Sequence, residues 1–179
     1  MKHLLSQKRA AILKRWLEFI LKTYPANTAS FLKEEKDRFA NPIGYSLTQG
    51  LDEVYGELLG GMDTAKLAGR LEGILKIRAV QDFSPSEAAG FVFLLKKAIR
   101  EELATELRGS RLIEEILELE SRIDRLALIA LDVYMGCRER IHEISLNQVR
   151  KEREMAFRLL ERMSSDSYEE PEGADKIPQ

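Results

Sequence analysis

Apolar residues recur at steps of three and four along most of this chain, the period of helices that each bury one stripe. Between Leu4 and Lys22 the stripe is Ile12, Leu13, Trp16, Leu17 and Ile20, which predicts a helix with Trp16 in the core and an end before Pro25. Asn27 or Thr28 caps a short helix carrying Phe31 and Leu32, and Lys33 to Arg38 reads as mixed-charge surface. Asn41-Pro42 is a cap-plus-proline start. The stripe Ile43, Leu47, Leu51, Val54, Tyr55, Leu58 and Leu59 then predicts an amphipathic helix stopped by Gly60-Gly61. Interior Gly44, Gly50 and Gly56 each cost that helix roughly 1 kcal/mol against alanine, which points to a close helix–helix approach. Asp63 or Thr64 starts the next helix, with Leu67, Leu71, Ile74, Leu75 and the aliphatic stem of Arg78 on its inner face.

That helix runs into the corner around which the rest is organised, Lys76 to Glu87. Ser84 is an N-cap, Pro85 sits at the first helical position, and Glu87 stands three residues on, where it closes a capping box. Ala88, Phe91, Val92, Phe93, Leu94, Leu95, Ala98 and Ile99 surround the helix that follows, so a single core helix is expected from Pro85 to about Arg108. After Gly109 and Ser110 no proline occurs until Pro171, and Gly136 is the single glycine before the tail. Arg111 to about Met163 therefore reads as one helix of about 80 Å at 1.5 Å per residue. Its first half carries an apolar stripe, Leu112 through Cys137, wide enough to serve both its own core and a partner subunit. In its second half Ile141, Ile144, Met155, Leu159 and Met163 are interrupted by Gln148, Lys151 and Glu152, the pattern of a weak coiled coil or signalling helix.

Composition narrows the function without naming it. With 179 residues, 44% apolar and 32% charged, the chain suits one helical domain with an appended segment. Lys8, Arg9, Lys14, Arg15 and Glu18 break the amino-terminal apolar positions, so no signal-peptide core or membrane span is expected and the cytosol is the expected compartment. The single Cys137 and the separated His3 and His142 offer neither a disulfide nor zinc-ligand spacing. Five acidic residues against Lys176 give the tail a charge of about −4 within a net charge of −2, which argues against a nucleic-acid partner. No nucleophile–base set and no phosphate loop point to an enzyme. The expected division is 1–137 as a helical domain, 138–163 as a signalling helix and 164–179 as a disordered acidic tail.

Trp16-Leu17 with Tyr24-Pro25, the run Lys36 to Gly44, Ile77 to Ser86, and Phe91 to Lys97 resemble the RsbRD N-terminal domain family over roughly Leu4 to Leu107. The resemblance implies a sensor or input module of the kind found ahead of STAS domains, in co-antagonists of the RsbT kinase, and ahead of histidine kinases. It also implies an all-α, globin-like bundle without haem, here with a long C-terminal helix, and a homodimer. The absence of a histidine from the Thr64–Gln81 and Pro85–Arg108 helices agrees with a haemless version, and no cofactor is expected. No STAS or kinase segment follows within these residues, so the expected output is to a kinase or STAS-domain protein in trans.

Asp37, Arg38, Asn41, Arg78, Gln81 and Asp82 gather at helix ends and form the candidate ligand or docking surface, against the plainer reading of caps and ion pairs that hold the corner. Leu126, Ile129, Val133, Ile141, Ile144, Met155 and Leu159 are the candidate dimer and signalling positions. Two other functions fit the same residues: a small-ligand carrier using a haemless globin-like pocket, and an assembly subunit of a larger complex.

Overall fold

A computed structural model describes residues 1–34, 40–81, 83–108 and 112–166, and all regular structure among them is helical. The elements are α1 (Lys2–Gln7), α2 (Arg9–Leu21), α3 (Ala26–Glu34), α4 (Pro42–Leu59), α5 (Thr64–Val80), α6 (Pro85–Gly90), α7 (Leu94–Glu102), a 3₁₀ turn (Glu106–Arg108) and α8 (Ile113–Asp166). The chain divides into two units, Met1–Glu139 and Arg140–Gln179, and α8 contributes to both.

Local chemistry sets most boundaries of the first unit. The Asn41 side chain accepts from the Gly44 amide at 2.8 Å and opens α4, and Asp63 accepts from Ala65 and Lys66 to open α5. The Ser84–Glu87 capping box is complete in both directions and opens α6. Helices α4 and α5 pack closely where glycine allows it: a Cβ on Gly50 would lie 3.0 Å from Ile74 Cδ1. Helix α2 lies along α7, tied by Arg15 to Glu101 and Glu102. Arg100 and Lys96 of α7 pair with Glu120 and Asp124 of α8. Such exposed pairs orient the helices more than they stabilise them, at about 0–1 kcal/mol each.

The core is formed by the stripes read from the sequence, with Ile12, Trp16, Ile20, Val54, Leu58, Leu67, Leu71, Leu75, Ile123 and Leu126 all buried. Burial of each such side chain favours folding by roughly 1.5–3 kcal/mol. Two expected helices are corrected. The amino-terminal run is two helices meeting at Lys8, whose ammonium reaches the Glu102 carbonyl at 2.6 Å and Glu106 at 2.5 Å. Arg9 and Arg15 are likewise paired with carboxylates.

The second correction concerns the core helix, which breaks at Phe91–Phe93 into α6 and α7. Trp16 Nε1 donates to the Phe91 carbonyl at 2.8 Å, and the Leu95 amide turns to Val92 at 3.1 Å, an i→i−3 bond. The Phe91 carbonyl is shared between the indole and the Leu94 amide, within a run of i→i−3 bonds made by the amides of Val92 to Lys96. Phe93, expected inside, is left half exposed. Trp16→Phe is expected to lower stability by about 1–2 kcal/mol with an unchanged denaturant slope, read by circular dichroism in urea.

Tyr55 is fully buried and donates to the Leu5 carbonyl at 3.1 Å. Burial pushes its phenol from 10.0 up to about 12, against the opposing pull of Arg9. A folded-state value above the unfolded one favours the folded state fully below about pH 10, and that contribution disappears as pH rises through about 12. Stability is therefore expected to fall across this window, and Tyr55→Phe to flatten the fall, in equilibrium unfolding against pH.

Candidate functional site

Arg78 occupies the last turn of α5, where the sequence suggested an inward aliphatic stem with its charge in water. The structure buries the whole side chain, guanidinium included, at 0% exposure. Three rings surround the charge, with the guanidinium carbon 5.2 Å from the Tyr24 centroid, 4.8 Å from Phe83 and 5.0 Å from Phe91. Each ring comes from a different junction: Tyr24 follows α2, Phe83 follows α5, and Phe91 follows α6. Tyr24 and Phe83 meet edge to face at 5.4 Å, and Phe91 stacks on Trp16 at 6.0 Å.

The hydrogen bonding of this cation is incomplete. Nη1 donates to the Glu87 carbonyl at 3.0 Å and Nη2 reaches Thr23 Oγ1 at 3.5 Å, while Nε is buried without a partner. No carboxylate forms an ion pair with Arg78 among the described residues. The nearest candidate, Glu87, accepts from the Ser84 amide at 3.0 Å and from its hydroxyl at 2.6 Å, and this cap holds its carboxyl below the usual carboxylate range. Desolvation pulls the Arg78 guanidinium below its ordinary value, with Tyr24 and Glu87 opposing. Three ring contacts at about 0.5–2 kcal/mol each offset part of the desolvation cost.

Directly against this cluster lies a cleft of about 430 Å³ lined by Thr23, Tyr24, Pro25, Thr28, Gln81, Phe83 and Glu87. Of the six surface candidates, Gln81 lines this cleft, whereas Arg78 is buried in the cluster behind it and is not at the surface. Asn41 serves the α3–α4 junction, donating to the Leu32 carbonyl at 3.1 Å while it caps α4. Asp37, Arg38 and Asp82 lie outside the described residues.

The corner is also bonded to α8. The Tyr134 hydroxyl donates to the Phe83 carbonyl, and Arg138 Nη1 donates to the Ala79 carbonyl at 3.2 Å. Of the helix candidates in this unit, Leu126 and Ile129 are buried and Val133 is half-buried, as is Cys137's neighbour Gly136, while Cys137 itself is buried. On the outer side of the same stretch Leu117, Leu128 and Met135 are more than half exposed and lie within a narrow arc at helical spacing.

Within the second unit Ile141 is half-buried, and Ile144, Met155 and Leu159 are exposed. Leu146, Val149, Phe157 and Leu160 form another apolar line, exposed by 43–61%. Sequence reading followed only the first line, although the three-residue steps 146–149 and 157–160 carry the signal for the second.

A family model described as the RsbT co-antagonist protein rsbRD N-terminal domain matches residues 10–149. The chain belongs to this family. Family membership makes it a regulatory input domain of the stressosome type, in a family that acts through protein–protein interaction. No curated protein and no solved structure matches the chain. The match of this RsbRD-type domain takes in the whole arginine cluster, Tyr134 and Arg138, and the first turns of the second unit. Among the described residues no group of three or more His, Cys, Asp or Glu is placed to hold a metal ion, and no helix is long and apolar enough to cross a membrane. Tyr134→Phe is expected to lower stability by about 1 kcal/mol without changing helix content, and to shift the backbone resonances of Phe83 and its neighbours.

Proposed function

We propose that this RsbRD-type domain is a non-enzymatic relay, a homodimer built on a haemless, globin-like bundle, that passes the state of its Arg78 corner along α8 to a kinase or STAS-domain protein in trans. The observation that carries the proposal is the apolar surface of α8. Isolated exposed leucines are ordinary on any protein, but aligned ones on a single helix are the mark of a helix-to-helix contact. Leu128 and Met135, seven residues apart on the outer face of the first unit, are self-complementary across a two-fold axis. The second unit carries two apolar lines, so it suits a second copy on one line and a regulatory partner on the other. Family membership supplies the regulatory class, and the hydrogen bonds from Tyr134 and Arg138 supply a physical link between corner and helix.

A change in the corner reaches the output only if α8 has two arrangements that the corner favours differently. Phe83 and Ala79 are bonded through their backbone carbonyls, so movement of the α5 end acts on α8 over two points one turn apart.

Leu128→Glu with Met135→Glu is expected to convert the dimer to monomer by light scattering, with helix content retained. Val149→Glu with Leu160→Glu is expected to leave the body folded and to abolish co-purification of a kinase or STAS-domain protein from native lysate. A wild-type monomer at tens of micromolar, or partner capture indifferent to both pairs, would overturn the proposal.

A further inference from the structure

We infer that the cleft beside Arg78 binds a small organic carboxylate, whose carboxylate completes the hydrogen bonding of the buried guanidinium and whose apolar body lies against Pro25, Tyr24 and Phe83. Arg78 is fully buried, makes no ion pair with a described carboxylate and has an unpartnered Nε. A buried charge in that condition is costly, and the chain's own acid at the site, Glu87, is committed to Ser84. Thr23, Tyr24, Phe83 and Glu87, the residues that hold the guanidinium, also line the cleft. Its volume of about 430 Å³ falls in the range of small-molecule sites.

The charge balance selects the ligand class. A guanidinium fork matches carboxylate and phosphate alike, but one cation with the Glu87 carboxylate beside it favours a monoanion over a dianion. Rings of Tyr24 and Phe83 and the Pro25 ring give an apolar body somewhere to lie, which inorganic phosphate cannot use. Thr28 and Gln81 complete the mouth.

Entry requires a ring to move, because the guanidinium is covered. Phe83 is the one that can turn, being half-buried at the corner, whereas Phe91 is buried under Trp16 and Tyr24 is buried. Displacing Phe83 acts on the carbonyl that receives the Tyr134 hydroxyl, so occupancy of the cleft is transmitted to α8. As an input signal this deepens, and rests on, the relay reading above, whereas the binding step is measurable whether or not that reading holds.

The test is calorimetric titration of the full chain with benzoate, phenylacetate and isovalerate, beside benzyl alcohol and inorganic phosphate. At least one carboxylate is expected to bind with a Kd of about 1 mM or tighter, and the two controls at least about tenfold more weakly. Arg78→Met is expected to remove binding. Gln81→Trp, at an exposed position that narrows the mouth, is expected to weaken it about tenfold with an unchanged circular dichroism spectrum, and decides the matter if the Arg78 variant does not fold. No heat from any of the three carboxylates at about 10 mM, an equal response to benzyl alcohol or phosphate, or binding unaffected by Gln81→Trp would overturn the inference. Dimerisation and partner capture are read separately, so failure of the relay leaves this result standing, and the reverse.

Discussion

The arrangement of the first unit depends on placing one guanidinium where water cannot reach it. Arg78 brings together the end of α2, the end of α5 and the break between α6 and α7, because its ring contacts and its two hydrogen bonds come from all three. A leucine at this position would fill space but could not demand particular partners. The planar cation does so, since each face and each N–H has a direction. Lysine would not substitute: its compact ammonium holds hydration more tightly and lacks the flat surfaces that stack on rings.

The same cluster explains why the family resemblance is carried by scattered short segments. Trp16, Tyr24, Arg78, Phe83 and Phe91 belong to four of the stretches on which that resemblance rests, and they converge on one site in space. Sequence reading found the segments and their order and weighed the corner as a ligand or docking surface against caps and ion pairs, without the ring cluster. The caps are indeed present at Asn41, Asp63 and Ser84, each legible because donor and acceptor lie within three residues. What lay beyond reach was the contact from Trp16 to Phe91, separated by 75 residues, at the point where the expected helix breaks. Hydrophobic pattern marks a residue as buried, and it does not say which backbone acceptor an indole will take.

Arg78 illustrates the same boundary from the other side. At the edge of an apolar stripe, an arginine ordinarily lays its stem on the core and keeps its charge in solvent. Only the rings supplied by Tyr24, Phe83 and Phe91 reverse that outcome, and none of them is within four residues of it in the chain. For α8 the length was plain, since no breaker interrupts it, and its buried face followed from periodicity. The outer line of Leu117, Leu128 and Met135 was harder to read because it merges with the buried stripe into one broad apolar surface, which loses its direction when projected on a single helix.

An input domain needs a place where a small perturbation alters a large interaction free energy, and well-packed cores offer few. Replacing one methyl contact by another inside the α4–α5 interface would be absorbed locally. A buried cation with an unfilled donor is different, because a single opposite charge brought within hydrogen-bond distance acts at low dielectric and changes the balance among its existing partners. Once the guanidinium is satisfied by an outside group, its hold on the Glu87 carbonyl and on the Phe83 ring weakens in relative terms. Those are the elements that fix the α5–α6 corner, and the corner's carbonyls are where Tyr134 and Arg138 of α8 attach. The domain thus places a buried, incompletely satisfied charge at the corner to which α8 is bonded, and any coupling between ligand and output is limited by how differently the two arrangements of that corner treat the guanidinium.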